Sequence, residues 1–109
     1  MDVKIERELN LIRESVLATV PDTEAIYLFG SHAYGTPDAE SDLDIYVVVP
    51  DSLEGSPLDA GVAIRRQLRR KKTMPLDLLL GRSSVFHRRA QGLTLESEIA
   101  NKGVQIYAS

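Results

Sequence analysis

The stretch Tyr27–Val49, YLFGSHAYGTPDAESDLDIYVVV, sets two apolar runs on either side of a loop that holds Gly30, Ser31 and Gly35. Two aspartates, Asp42 and Asp44, stand at the entrance to the second run. That run, Leu43–Val49, is rich in β-branched residues and predicts a strand. The first run, Ala25–Gly30, is short, apolar and closed by glycine, and predicts a buried strand. Side chains alternate across a strand, so Asp42 and Asp44 project together, about 6–7 Å apart at Cα, while Leu43 points the other way. Two like charges at that distance resist ionisation unless something positive lies between them. A hard divalent cation such as Mg²⁺, with oxygen ligands at about 2.1 Å, answers that need.

A third carboxylate stands downstream in PLDLLL, Pro75–Leu80. A lone acid in a leucine-rich strand is expensive to bury unless it is paired or bound to metal. If this strand lies beside Leu43–Val49, Asp77 joins Asp42 and Asp44 in a three-carboxylate site, of the kind that holds Mg²⁺ in phosphoryl and nucleotidyl transfer. The glycine–serine corner gives such a site something to hold. Gly30 lets the backbone come close to a phosphate. Ser31, read as a plain N-cap or as a phosphate donor, opens a short helix to Gly35 whose amides and dipole favour an anion.

Outward from this centre, Ile5, Leu9, Ile12, Val16 and Leu17 recur at helical spacing over Val3–Val20, and Pro21 closes the helix. Thr36–Ser41 is turn chemistry and Pro50–Pro57 a loop. A helix is expected from Leu58 to about Lys72, with Val62, Ile64 and Leu68 towards the core. Helices over Ser83–Gln91 and Thr94–Asn101 precede Gly103 and a last strand, VQIYA. This order predicts one domain over residues 1–109 of mixed α/β (α+β) class, a sheet of about four strands flanked by helices.

The chain has 109 residues, 43% hydrophobic and 27% charged, with no cysteine and a net charge of −3. That composition fits a globular protein without disulfides or thiolate metal sites. The acidic balance makes nucleic acid an unlikely direct partner. The N-terminus lacks a signal-peptide core and no apolar run reaches the ~20 residues a membrane span requires, so a cytoplasmic protein is expected. RRQLRRKK, Arg65–Lys72, carries six of the thirteen basic residues. It reads as a solvated helical face, or as a surface for an acidic partner or the steering of a triphosphate. His32 reads as a spacer in the motif loop, His87 as a surface residue, and Tyr27, Tyr46 and Tyr107 as packing residues.

GSHAYGTPDAESDLDIYV resembles the nucleotidyltransferase signature: Gly-Ser, a spacer, Gly, a further spacer, then Ser-Asp-x-Asp. With LFGS, PLDLLL and NKGVQIY, the likeness is to the minimal nucleotidyltransferase (MNT) group of the DNA polymerase β-like superfamily, related to kanamycin nucleotidyltransferase. It covers about four-fifths of the chain. Tyr34 stands where the group often has arginine. The resemblance implies a polymerase β-like fold and Mg²⁺-dependent transfer of AMP from ATP to an acceptor hydroxyl, with release of pyrophosphate. It implies Asp42 and Asp44 as metal ligands, with Asp77 binding metal on the acceptor side or taking the hydroxyl proton. It also implies that Gly30, Ser31, Gly35 and Ser41 hold the nucleotide. Larger relatives carry a further domain that shapes the acceptor site, and this chain ends soon after its last strand, so the acceptor pocket is expected to be shallow or to come from another polypeptide. The group is often paired with a separately encoded helical HEPN-type toxin. There the nucleotidyltransferase acts as antitoxin by adding AMP to a tyrosine. A catalytically silent nucleotide- or partner-binding module and a small-molecule nucleotidyltransferase are the alternatives.

Overall fold

The computed structural model describes residues 2–35, 37 and 41–109. Five helices and four strands follow one another as α1 (Val3–Thr19), β1 (Ala25–Phe29), α2 (Ser31–Tyr34), β2 (Leu43–Val49), α3 (Pro57–Leu68), β3 (Leu76–Arg82), α4 (Ser83–Arg89), α5 (Leu95–Lys102) and β4 (Val104–Ala108). The strands form one sheet in the order β3-β2-β1-β4. β1 runs antiparallel to β2 and β4, while β2 and β3 are parallel. A parallel pair needs a crossover, and α3 supplies it. The class is therefore α+β with a mixed four-stranded sheet, as expected.

Strand alternation divides the sheet into two apolar faces. Leu43, Ile45, Val47 and Val49 of β2 point to α1 and α3, where they meet Leu9, Ile12, Val16, Ile64 and Leu68. Tyr46 and Val48 point the other way, to Phe86 of α4 and Ile99 of α5. β2 is thus buried on both faces along most of its length, which explains its near-continuous apolar sequence. Phe86 stacks on Tyr27 at 5.6 Å and meets Tyr46 at 5.2 Å between centroids, so these two tyrosines are packing residues as expected.

Local chemistry explains the helix ends. Asp2 caps α1 by accepting from the Lys4 amide at 2.7 Å, and Ser56 caps α3 by accepting from the Asp59 amide at 3.0 Å, with Pro57 in the first turn. The expectation that α3 reaches Lys72 is corrected: it ends at Leu68, whose carbonyl accepts from the Lys71 and Lys72 amides at 2.9 and 3.0 Å. Beyond that point Glu8 of α1 captures the chain. Its carboxylate accepts from the Thr73 amide at 2.6 Å, the Met74 amide at 3.0 Å and the Thr73 hydroxyl at 3.1 Å. Val62 is also corrected. It is 49% exposed, because Gly61, Ile64 and Leu68 form the buried line of α3 and Val62 lies a step of rotation away. β3 runs two residues further than expected, to Arg82, whose guanidinium then reaches the carbonyls of Leu53 and Gly55. The turn expected over Thr36–Ser41 falls largely on residues outside the described set. Among the described residues no helix is long and apolar enough to cross a membrane.

Glu8 is 3% exposed, and its bonds to Thr73 and Met74 are partly shielded from water. Glu8→Ala leaves partly buried donors without protein partners and is expected to cost about 1–2 kcal/mol. The loss should appear as a lower urea midpoint with an unchanged m-value, and Glu8→Gln should recover part of it.

Candidate active site

The site forms where β1 ends and β2 and β3 begin. Asp42 precedes β2 and Asp44 is its second residue, on the face shared with Tyr46. The parallel register sets Asp44 directly beside Asp77. The structure thus places the third acid on the neighbouring strand, next to the acidic pair. Asp77 is not buried. β3 is an edge strand and Asp77 is exposed to solvent.

β1 delivers the glycine corner. Phe29 pairs with Asp44 across the antiparallel ladder, and Gly30 follows at φ 73° and ψ −156°, a region essentially reserved for glycine. The position has a second constraint. A Cβ on Gly30 would overlap the Asp44 carboxylate, so the bare backbone is what lets this acid occupy its place. Gly30 rather than Ser31 is the N-cap of α2, without a side-chain cap bond, and Ser31 is the first helical residue. The Ala33 and Tyr34 amides donate to the Gly30 carbonyl, and the Gly35 amide to that of Ser31. A four-residue turn accumulates little dipole, so any pull on an anion here comes from individual amides. Gly35 is needed for contact: a Cβ there would come 2.8 Å from Ser31 Cα.

His32 does more than space the loop. Its Nε2 lies 3.1 Å from the Ser41 carbonyl, an acceptor, so Nε2 donates and ties α2 to the segment that leads into Asp42. Its Nδ1 is buried with no protein partner. Nothing in the sequence pattern signals this bond across nine residues. On the same sheet face beyond Asp44, the Tyr46 hydroxyl donates to Glu96 at 3.3 Å and Arg89 Nε donates to Glu96 at 3.0 Å. Burial first, then the Glu96 charge, push the Tyr46 phenol up to about 12. This network anchors α4 and α5 behind the acids. His87 is exposed, as expected, and lies 3.3 Å from Glu24.

The acids repel one another. Burial first, then the charges of Asp77 and Asp42, raise the Asp44 carboxyl above its ordinary value, while His32 pulls it back. Among the described residues, no group of three acidic, histidine or cysteine side chains is already gathered as a metal-holding cluster. The donors are nevertheless all carboxylate oxygens, the set that suits a hard divalent cation, and their mutual repulsion is what a cation relieves.

Residues 13–109 match the family described as polymerase beta, nucleotidyltransferase. The chain belongs to this family. Solved structures share its fold. A candidate nucleotidyltransferase from Sulfolobus solfataricus is 20% identical with a TM-score of 0.61, over 99% of this chain and 89% of that one. A chain of a toxin–antitoxin structure with AMP-PNP is 22% identical with a TM-score of 0.55, over 92% and 73%. A chain of the complex between a tri-AMPylated Shewanella oneidensis HEPN toxin and its MNT antitoxin is 22% identical with a TM-score of 0.55, over 95% and 72%. No curated protein matches the chain. Gly30-Ser31 and Asp42-x-Asp44 both lie within the matched residues, a strand–turn corner beside the acids of the next strand.

Proposed function

We propose that the chain is a single nucleotidyltransferase domain that transfers AMP from ATP to a hydroxyl of a protein partner. The observation that carries this reading is the register of Asp44 with Asp77, with Gly30 pressed against the Asp44 carboxylate. Asp42, Asp44 and Asp77 are the residues that would hold Mg²⁺. When bound, the ion neutralises the phosphate charge that builds up during transfer. Gly30, Ser31, Gly35 and Ser41 bind the nucleotide, the glycines by letting backbone approach the phosphates. His32 keeps Ser41, and with it the approach to Asp42, in place.

The acceptor oxygen attacks the α-phosphorus, the bond from that phosphorus to the pyrophosphate oxygen breaks, and the hydroxyl proton passes to Asp77. The exposure of Asp77 suits this acceptor role, because a protein hydroxyl can reach it from solvent. A HEPN-type helical protein is the proposed partner, with the chain acting as its antitoxin in the cytoplasm and nucleic acid having no direct role. The likeness of the fold to chains of toxin–antitoxin complexes supports this partner class.

The test uses ATP labelled at the α-phosphate, Mg²⁺, purified protein and extract of the source cell. Wild type should label one protein band, and Asp77→Asn should not. Mg²⁺-dependent ATP binding without any label would make the chain a nucleotide-binding module instead.

A further inference from the structure

β3 is an edge strand with an unusually apolar sequence, LDLLLGR. The Leu43 amide donates to the Pro75 carbonyl, and the register pairs Leu43 with Leu76. By the alternation of a parallel ladder, Asp77 and Leu79 turn their backbone groups to β2, while Leu76, Leu78 and Leu80 turn theirs outward. Arg65 Nη1 donates to the Leu76 carbonyl at 3.2 Å. An open, leucine-rich edge is a template for pairing with another chain. At the opposite edge, β4 is more polar, and Arg13 of α1 donates to the Ile106 carbonyl at 3.0 Å.

α3 forms a shelf beside this edge. It approaches so closely at Gly61 that a Cβ there would come 2.9 Å from Leu80 Cδ1. Between the two elements runs a groove of 250 Å³, lined by Leu58, Val62 and Arg65 on one side and Leu78 to Leu80 on the other. Leu58 is 77% exposed and Val62 49% exposed. Through Val62 and Arg65 the groove continues into a 400 Å³ hollow that Arg66, Arg69 and Lys72 complete. A strand edge, an apolar floor and a basic end therefore lie in one line.

We propose that this groove docks an extended acidic segment of a partner protein, which pairs with the outward backbone of Leu78 and Leu80 and sets its carboxylates against Arg65, Arg66 and Arg69. Charge complementarity selects this occupant. A second copy would present its own edge strand, LDLLLGR, which carries a single acid and an arginine and no row of carboxylates for the basic end. A nucleic acid would gain nothing from the leucine floor and would meet a chain of net charge −3. The docking itself needs no transfer chemistry. Granting the transferase reading, Asp77 lies on the same strand, on its other face, so a segment paired along β3 brings its protein close to the acids.

Direct binding tests this without ATP or metal. The probes are a fluorescent nonapeptide alternating valine with glutamate, its lysine counterpart, and an adenine-only RNA of matching charge. Wild type should bind the acidic peptide, more weakly as salt rises, with slowed hydrogen exchange at the Leu78 and Leu80 amides. Val62→Glu and Arg66→Glu, both at exposed positions, should each weaken binding by about tenfold or more. Asp44→Asn and Val104→Glu, the latter on the opposite edge, should bind like wild type. Failure to bind the peptide, binding that ignores Val62→Glu and Arg66→Glu, or preference for the RNA overturns the proposal. Concentration-dependent dimerisation that protects Leu78 and Leu80 overturns it in favour of a second copy. Because Asp44→Asn removes transfer but not docking, failure of the transferase reading leaves this result readable.

Discussion

Asp44→Asn is expected to lower AMP transfer by about a thousandfold, a loss of several kcal/mol of transition-state stabilisation, without unfolding the protein. Asn keeps the shape of the side chain beside Gly30 and removes the charge. In the folded protein that charge is disfavoured by burial and by Asp77 and Asp42. The sign of the stability effect follows. A carboxyl raised above its ordinary 3.8 leaves the folded state holding the proton more tightly than the unfolded chain does. Stability is then lost as pH rises through the folded value, and at neutral pH the ionised group works against folding. Without divalent cations, Asp44→Asn should therefore be at least as stable as wild type near pH 7. Adding Mg²⁺ should raise the melting temperature of wild type and leave the variant unmoved. A destabilised variant, or one that responds to Mg²⁺ like wild type, would remove Asp44 from the proposed metal set whatever the transfer assay shows.

The alternation of Leu43–Val49 made the shared side of Asp42 and Asp44 legible from sequence, because strand geometry alone fixes it. The glycine–serine corner was legible for a similar reason, since Gly30 lies between an apolar strand and a short turn. The neighbour of Asp44 was not. Asp77 is thirty-three positions later, and only the crossover through α3 brings β3 parallel to β2 in the register that pairs the two acids. Local pattern carries no information on which strands become neighbours.

The errors have the same origin. A run of arginine and lysine reads as a continuing helix, yet α3 stops at Leu68 in turns that close on its carbonyl, and Glu8 of α1 holds the Thr73 amide just beyond them. Val62 has the hydrophobicity of a core residue but faces the groove beside the open edge, where its apolar character belongs to a surface. His32 looks like a spacer until its bond to the Ser41 carbonyl appears. Each depends on a partner distant in sequence, or on the placement of an entire element.

Gly30→Ala should be the most damaging single methyl group in the molecule. The backbone at φ 73° and ψ −156° costs a non-glycine residue about 1–3 kcal/mol, and the new Cβ would also collide with the Asp44 carboxylate. Either β1 shifts at its last residue or Asp44 leaves its rotamer. A total stability loss of about 3 kcal/mol is expected, together with loss of transfer. Gly55 separates the two causes. It too has a positive φ, 77°, but a Cβ there meets nothing within 4 Å. Gly55→Ala should therefore cost about 1 kcal/mol of backbone strain and leave both transfer and the Mg²⁺ effect on melting intact. If both variants lose the Mg²⁺ effect equally, general destabilisation explains the loss. If only Gly30→Ala loses it, under conditions where circular dichroism shows both variants folded, the corner acts through the carboxylate it makes room for. In that case Gly30 shapes the acid as much as it admits the phosphate, and the glycine and the aspartate form one geometric unit across two paired strands.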